Sequence, residues 1–170
     1  DLFGIDELII FSIYKKLAGN FEFALDLGAN IGLHSLLMSR LGWRVRSYEP
    51  DPVHVERFMH NINLNNQESL IELIPKAVWI DDVGVEFTRV VGNTTGNHIT
   101  GAKKPYGELE SFFVETANFR DIVSDAKLIK LDVEGVEGQL FGALRDGDLS
   151  DDTIMVMEVS KSSRVEIYQF

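Results

Sequence analysis

Apolar side chains along the chain follow two periods, one typical of helices and one typical of buried strands. Helical spacing is found over residues 5–17, 31–41 and 52–62, and two further helices are predicted, one near residue 116 and one from residue 135. Short apolar runs that predict strands lie between them: 21–27, 43–48, 71–80, 128–131 and 154–159. Strands that alternate with helices indicate an α/β fold, in which helices cover both faces of a mostly parallel sheet.

Residues 83–114 interrupt this alternation. Apolar side chains recur at every second position from Val83 to Phe87, and Leu109–Val114 is predicted to be the returning antiparallel strand. The intervening residues 92–107 are rich in glycine, asparagine and threonine, as loops are. We therefore predict a β-hairpin that is inserted into the parallel fold.

The composition fits a single globular domain over residues 1–170, in which residues 1–20 form an N-terminal helix. The chain carries 27 acidic and 16 basic residues, a net charge of -11. This excess of acid disfavours nucleic acid and an anionic membrane surface as partners, because both attract basic side chains. The absence of cysteine excludes disulfides and thiolate metal sites. No apolar run reaches the ~20 residues of a membrane span and no secretory signal is visible, so we expect a cytoplasmic protein.

The most informative segment reads D-L-G-A-N-I-G, from Asp26 to Gly32. A buried strand that ends in an acid, followed by a glycine turn and a helix start, builds a nucleotide-type pocket at the carboxyl edge of a parallel sheet. Dinucleotide folds usually show G-x-G-x-x-G at this point, and Asp26 would repel their pyrophosphate. An acid suits a cationic ligand instead, such as S-adenosylmethionine, which has an ammonium group, a sulfonium group and no phosphate.

Five residues of this segment have a predicted role. Gly28 and Gly32 are expected to let the ligand approach the main chain, and Ala29 is small for the same reason. Asn30 tolerates a left-handed backbone and offers an amide to the ligand. Asp26 is predicted to face the ammonium group, although an acid beside glycines also serves as a turn cap.

Other cofactor contacts are predicted at neighbouring strand ends. Glu49 follows the second strand, 21 positions after Gly28, and an acid at about this distance binds ribose hydroxyls in Rossmann sheets. His34 and Ser35 fall in the first helical turn and are predicted to contact the cofactor's carboxylate, with a solvated histidine as the alternative for His34. Ala77 follows the first half of the third strand, at the edge that flanks the adenine in this kind of sheet.

A second informative segment reads L-I-K-L-D-V-E-G-V-E, from Leu128 to Glu137. The strand delivers Asp132 to the carboxyl edge of the sheet and Glu134 follows in the loop, so both acids would lie near a cationic sulfonium. Glu137 fits the start of the next helix equally well, since the helix dipole favours acids in the first turn. We predict that Asp132 contacts the cofactor.

Four segments together point to one family: D-L-G-A-N-I-G, Y-E-P-D-P at 48–52, N-I-N-L-N-N at 61–66 and I-K-L-D-V-E-G-V-E at 129–137. Their order resembles the FkbM family of S-adenosylmethionine-dependent methyltransferases. The resemblance implies a Rossmann-like class I fold, a three-layer sandwich, and methyl transfer to a hydroxyl on a sugar, polyketide or similar small acceptor. Such a sheet normally adds two strands after the fifth, so we expect the C-terminal strands to be missing.

Methyl transfer to a hydroxyl needs a group that takes its proton. The candidates are Asp132, Glu134, Glu158 at the end of the last predicted strand, and His98 in the inserted loop. Glu158 can equally be an ordinary strand-end acid and His98 a surface histidine, although we predict that the loop contacts the acceptor. The acids at 132, 134 and 137 leave a magnesium site open, but we predict no metal, because hard cations need good geometry from several oxygens.

Two other function classes are compatible with these residues. One is a nicotinamide-dependent oxidoreductase, in which Glu49 would serve equally, but the missing G-x-G-x-x-G and the charge of Asp26 speak against it. The other is a protein that binds S-adenosylmethionine without catalysing a reaction.

Overall fold

The computed structural model describes residues 4–92, 96–102 and 107–157. The helices in these ranges are α1 (Ile5–Leu17), α2 (Leu33–Arg40), α3 (Pro52–Leu64), α4 (Phe119–Val123) and α5 (Glu137–Ala143). The strands are β1 (Phe23–Leu27), β2 (Arg44–Tyr48), β3 (Ile71–Ile74), β4 (Ala77–Trp79), β5 (Val85–Val90), β6 (His98–Ile99), β7 (Leu109–Val114), β8 (Thr116–Asn118), β9 (Leu128–Leu131) and β10 (Ile154–Met157). Not one of the described helices combines the length and the apolar character that crossing a membrane requires.

A five-stranded parallel sheet in the order β10-β9-β1-β2-β3 forms the centre of the fold. The chain moves outward from β1 in both directions, so the carboxyl ends of β9, β1 and β2 meet at one edge. The predicted third strand over 71–80 is divided. β3 joins the central sheet, whereas β4 pairs in parallel with β8. Pro75 separates the two, because proline has no N–H for the ladder.

Two hydrophobic clusters cover the two faces of the sheet. Ala24 packs in a cluster with Tyr14 and Phe58 on the side of α1, α2 and α3. Leu25 packs in the other cluster with Leu140, on the side of α4 and α5. Successive strand residues face opposite sides, which explains how one short strand supplies both clusters. The fold is therefore the three-layer α/β sandwich that the sequence predicts.

The inserted segment forms an antiparallel sheet in the order β6-β5-β7. β5 and β7 pair from Val85↔Val114 to Val90↔Leu109, which is the predicted hairpin. β6 adds a short third strand from residues that the sequence assigns to the loop, and it pairs with β5 at Phe87↔Ile99. The insertion is thus a small sheet rather than a hairpin with an open loop.

Candidate functional site

A cavity of about 580 Å³ lies at the carboxyl edge of the central sheet. Its walls come from the turn after β1, the ends of β2 and β9, the segment 76–78, helix α2 and the inserted sheet. The volume falls in the range of small-molecule sites in proteins. The position beside β1, where the strand order reverses, is where open α/β sheets bind their ligands.

The turn after β1 borders the cavity. The main-chain N–H groups of Gly28 and Ala29 both donate to the carbonyl of Tyr48, at 3.0 and 2.9 Å. Gly28 has a φ of 80°, and a Cβ there would lie 1.8 Å from the carbonyl oxygen of Asp132. Asn30 has a left-handed φ of 52°, as predicted. The close packing of the turn against the end of β9 therefore requires glycine at position 28, whether or not a ligand is bound.

Glu49 presents a buried carboxylate at the end of β2 and lines the cavity. Its Oε2 accepts a 2.8 Å hydrogen bond from the main-chain N–H of Asn30, and its Oε1 accepts one of 2.9 Å from Asp51. Nδ1 of His54 lies 3.4 Å from the same Oε1. Because each carboxylate oxygen has two lone pairs, Glu49 can still accept from the hydroxyls of a bound ribose.

Lys130, which the sequence reasoning missed, connects three parts of the site. Its Nζ lies 3.5 Å from Oδ1 of Asp26 and 3.4 Å from Oδ2 of Asp132, and it donates to the carbonyl of Gly28 at 3.1 Å. Burial lowers the pKa of Lys130, but the two carboxylates outweigh burial and the pKa is raised, so the ammonium stays charged. A lysine inside the apolar run Leu128–Leu131 was the available signal, since a charged side chain in a buried strand needs partners.

Three of the predicted cofactor contacts do not line the cavity. Asp26 is fully buried on the face that α2 covers, where its Oδ2 accepts from the hydroxyl of Ser35 at 2.6 Å. That hydroxyl also lies 2.8 Å from the hydroxyl of Ser47. Gly32 begins α2 with a φ of 89°, and a Cβ there would lie 2.0 Å from the ring of Phe58. Asp26, Ser35 and Gly32 therefore pack against α2 and α3, and they stabilise the turn from the side that faces away from the cavity.

His34 is buried and lines the cavity. Its Nδ1 lies 3.0 Å from the hydroxyl of Tyr14, and its Nε2 lies 3.0 Å from Oε2 of Glu7. Burial lowers the pKa of His34 and raises the pKa of Tyr14, so the imidazole is neutral and the phenol protonated. The phenol then donates to Nδ1, while Nε2–H faces the carboxylate. Helix α1 is thus docked on α2 through His34, and Glu7 becomes part of the cavity wall.

The loop after β9 brings two predicted acids to the cavity. Glu134 lines it with a φ of 60°, a left-handed conformation that glutamate rarely adopts. Oδ1 of Asp132 is buried and accepts no hydrogen bond from any residue that the structure describes. Glu137 instead accepts from the main-chain N–H of Gly135 at 3.1 Å, which is the capping alternative. Over the described ranges, no three His, Cys, Asp or Glu side chains are grouped to hold a metal ion.

The segment after Pro75 forms the opposite end of the cavity. Ala77 and Val78 are buried and line it, at the place predicted for the adenine. Lys76 lines it as well and pairs with the exposed Glu115 at 3.1 Å. Glu158, a predicted proton acceptor, lies outside the described residues.

The inserted sheet supplies a further wall through Phe87, Asn97 and Ile99. His98 lies between two of these residues in sequence and faces away from the cavity, because neighbouring strand residues alternate in direction. His98 is 2% exposed, and its Nδ1 lies 2.8 Å from the carbonyl oxygen of Gly96. His98, a predicted proton acceptor, is therefore not among the residues that line this cavity.

Comparison with known families identifies the family of the chain. Residues 26–170 match the family description "Methyltransferase FkbM domain". The chain belongs to the FkbM methyltransferase family. The resemblance in the sequence segments is thereby confirmed. No protein of curated function matches the chain by sequence.

Solved structures share this fold at low identity. A ribosomal protein L11 methylase from Lactobacillus delbrueckii subsp. bulgaricus has a TM-score of 0.57 and 14% identity, over 98% of this chain and 67% of that one. An S-adenosylmethionine-dependent methyltransferase from Agrobacterium tumefaciens has a TM-score of 0.55 and 11% identity, over 89% of this chain and 44% of that one. An RNA methyltransferase from Salinibacter ruber, in complex with S-adenosyl-L-homocysteine, has a TM-score of 0.51 and 17% identity, over 88% of this chain and 73% of that one. These similarities show the class I methyltransferase fold.

The residues of the cavity fit S-adenosylmethionine, the cofactor that the FkbM family and this fold indicate. Glu49 offers acceptor oxygens for the two ribose hydroxyls. The buried Oδ1 of Asp132, which accepts no hydrogen bond from the described part of the chain, suits the ammonium group. The close contact between Gly28 and Asp132 keeps the ends of β1 and β9 together.

Proposed function

We propose that this FkbM domain transfers the methyl group of S-adenosylmethionine to a hydroxyl of a small uncharged acceptor, such as a sugar or another polyhydroxylated metabolite. One observation carries the proposal. Glu49 and Asp132 line the same cavity from the ends of β2 and β9, on either side of the turn at Gly28. A carboxylate for hydroxyl groups and a carboxylate for an ammonium group thus flank the switch point of the sheet.

The strand order supports one orientation of the cofactor in the cavity. Glu49 would hold the ribose, Ala77 on the β3 side would contact the adenine, and Asp132 on the β9 side would hold the ammonium. When bound, the cofactor supplies a methyl group that its sulfonium makes electrophilic. The reacting centre belongs on the β9 side of the cavity, where Glu134 also lies.

Glu134 is the candidate that would receive the hydroxyl proton of the acceptor. Its left-handed backbone costs energy, and such strain is concentrated at functional sites. Asp132 has a different role in this proposal, because its carboxylate faces the ammonium of Lys130, 3.4 Å from Oδ2, and would hold the ammonium group of the cofactor.

The charge of the cavity wall supports a neutral acceptor. Among the described residues that line the cavity, four carry carboxylates and two carry ammonium groups: Glu7, Glu49, Asp132 and Glu134 against Lys76 and Lys130. Lys130 is already balanced by Asp26 and Asp132. Such a wall repels phosphorylated or carboxylated acceptors, whose charge would add to that of the protein.

The test is a transfer assay with methyl-labelled S-adenosylmethionine and a panel of acceptors: neutral sugars, polyketide alcohols, a sugar phosphate and an RNA fragment. We expect label on a neutral hydroxyl compound, and we expect Glu134→Gln to abolish transfer while it still binds S-adenosylhomocysteine in calorimetry. Label on RNA alone would contradict the acceptor class. Binding of NAD without S-adenosylhomocysteine would indicate an oxidoreductase, and binding without any transfer would indicate a non-catalytic protein.

A further inference from the structure

Asp51 is a fully buried carboxylate that lies outside the cavity but next to it. It caps α3, as its Oδ1 accepts from the main-chain N–H of Val53 at 2.8 Å. The same carboxylate accepts from Nε and Nη2 of Arg89 at 2.7 and 2.5 Å, and from the side-chain amide of Asn97 at 2.9 Å. Only the first of these hydrogen bonds belongs to a helix cap. The other three connect the β2–α3 loop with the inserted sheet.

Arg89 is held in place by the inserted sheet itself. Its Nη1 donates to the exposed Glu110 of β7 at 2.8 Å, and its guanidinium stacks on the ring of Phe112 at 4.9 Å. Burial raises the pKa of Asp51, but the hydrogen bonds from Arg89 and Val53 outweigh burial, and the pKa is lowered. The pair is therefore charged and bidentate, which is the most directional ion pair available to side chains.

This ion pair lies one hydrogen bond away from the proposed ribose carboxylate. The main-chain N–H of Asp51 donates to Oε1 of Glu49 at 2.9 Å. On the other side of the ion pair, Asn97 lines the cavity, and so does Phe87 on the strand that carries Arg89. Phe87 belongs to the half of the cavity that contains Ala77, because these two residues share a hydrophobic cluster.

We propose that Asp51 and Arg89 are positioning residues for the cofactor. Their ion pair holds the inserted sheet as the wall of the adenosine half of the cavity and fixes the carboxylate of Glu49 through the main chain of Asp51. The insertion thereby determines cofactor affinity rather than the choice of acceptor. This inference rests on the proposed function, because it assumes that the cavity binds an adenosine.

The variant that tests this is Arg89→Met, since Asp51 also caps a helix and is harder to interpret. The matched control is Glu110→Gln, which removes the exposed partner of Arg89 and leaves the buried one. The probes are S-adenosylhomocysteine and 5′-methylthioadenosine, which has the adenosine but lacks the amino-acid end. All titrations are made at a temperature at which circular dichroism shows every variant to be folded, so that lost stability does not appear as lost affinity.

We expect Arg89→Met to weaken both probes by the same factor, roughly tenfold or more, the size of a lost charge-assisted contact. In the transfer assay the KM for S-adenosylmethionine should rise, with kcat and the acceptor KM little changed, and Glu110→Gln should resemble the parent. Arg89→Lys, which keeps the charge but not the bidentate geometry, should bind both probes with an affinity between those of Arg89→Met and the parent.

Unchanged affinity for both probes in Arg89→Met would overturn the inference, and so would a rise of the acceptor KM alone. If Arg89→Met fails to fold, Arg89→Lys decides, because parental affinity in that variant would overturn the inference as well. A parent protein that binds neither probe would refute the proposed function instead, so the two failures are distinguishable.

Discussion

Glu49 and Asn30 are joined by a 2.8 Å hydrogen bond from the main-chain N–H of Asn30 to Oε2 of the carboxylate. The bond connects the end of β2 with the turn after β1, and both residues line the cavity. Asn30 holds the left-handed φ of 52° that points its N–H toward the carboxylate. Two sequence segments that are nineteen residues apart therefore act as one structural unit.

The first prediction concerns this unit. Glu49→Gln keeps the shape of the side chain and removes its charge, so it should weaken binding of S-adenosylhomocysteine by about 1–3 kcal/mol, the range for a lost hydrogen bond to a charged group. Calorimetry measures the change. Glu72→Gln is the control, because Glu72 is exposed on β3 and pairs only with the half-buried Arg46 among the contacts described. Equal affinities of the two variants would exclude Glu49 from the cofactor site.

The second prediction concerns Lys130. Lys130→Met leaves the buried Asp26 and the neighbouring Asp132 without their cation, so it should lower the free energy of unfolding by about 3–5 kcal/mol. Lys127→Met removes an ion pair between exposed side chains and should cost less than about 1 kcal/mol. Urea unfolding of both variants gives the comparison. Adding Asp26→Asn to Lys130→Met should restore part of the lost free energy of unfolding. If the effects of the two substitutions on that free energy simply add, the two charges are not coupled.

The third prediction concerns backbone strain at Glu134. Glu134→Gly removes a left-handed glutamate, which should relieve about 1 kcal/mol, and it should abolish methyl transfer because the proposed proton acceptor is lost. Asn66→Gly is the control, since Asn66 has a similar φ of 54° and does not line the cavity. Thermal unfolding and the transfer assay are measured on the same preparations. A Glu134→Gly enzyme with parental turnover would refute the proposed role.

The fourth prediction concerns pH. The pKa of His34 is lowered in the folded protein from 6.5, so the unfolded chain binds the proton more tightly. Stability should therefore be full above about pH 6.5 and fall at lower pH, by at most about 1.4 kcal/mol per pH unit for this one group. His34→Gln should flatten the dependence of the unfolding midpoint on pH between 7 and 5. His60→Gln, at an exposed helix position, should leave that dependence unchanged.

Much of the fold is predictable from the sequence because it depends on local periodicity. The five parallel strands and the period-two insertion follow from the spacing of apolar residues. The division of the third strand at Pro75 and the pairing of β4 with β8 depend on contacts with Thr116–Asn118, 39 residues later in register. No local pattern shows a pairing of that kind.

The site was less predictable, because tertiary packing decides which side chains face the cavity. The strand ends that carry Glu49 and Asp132 meet there, since parallel strands share a carboxyl edge. Asp26 is one residue inside the end of β1, so it faces α2, and His98 lies on the wrong side of β6. Glu7 reaches the cavity only because α1 docks on His34, and the sequence of α1 alone does not contain that information.

A crystal structure of the protein with S-adenosylhomocysteine tests the central claim most directly. We expect the ribose hydroxyls on the carboxylate of Glu49, the adenine against Ala77 and Phe87, and the ammonium group at Oδ1 of Asp132. A ligand bound elsewhere, or one in this cavity whose ribose lies away from Glu49, would contradict the account.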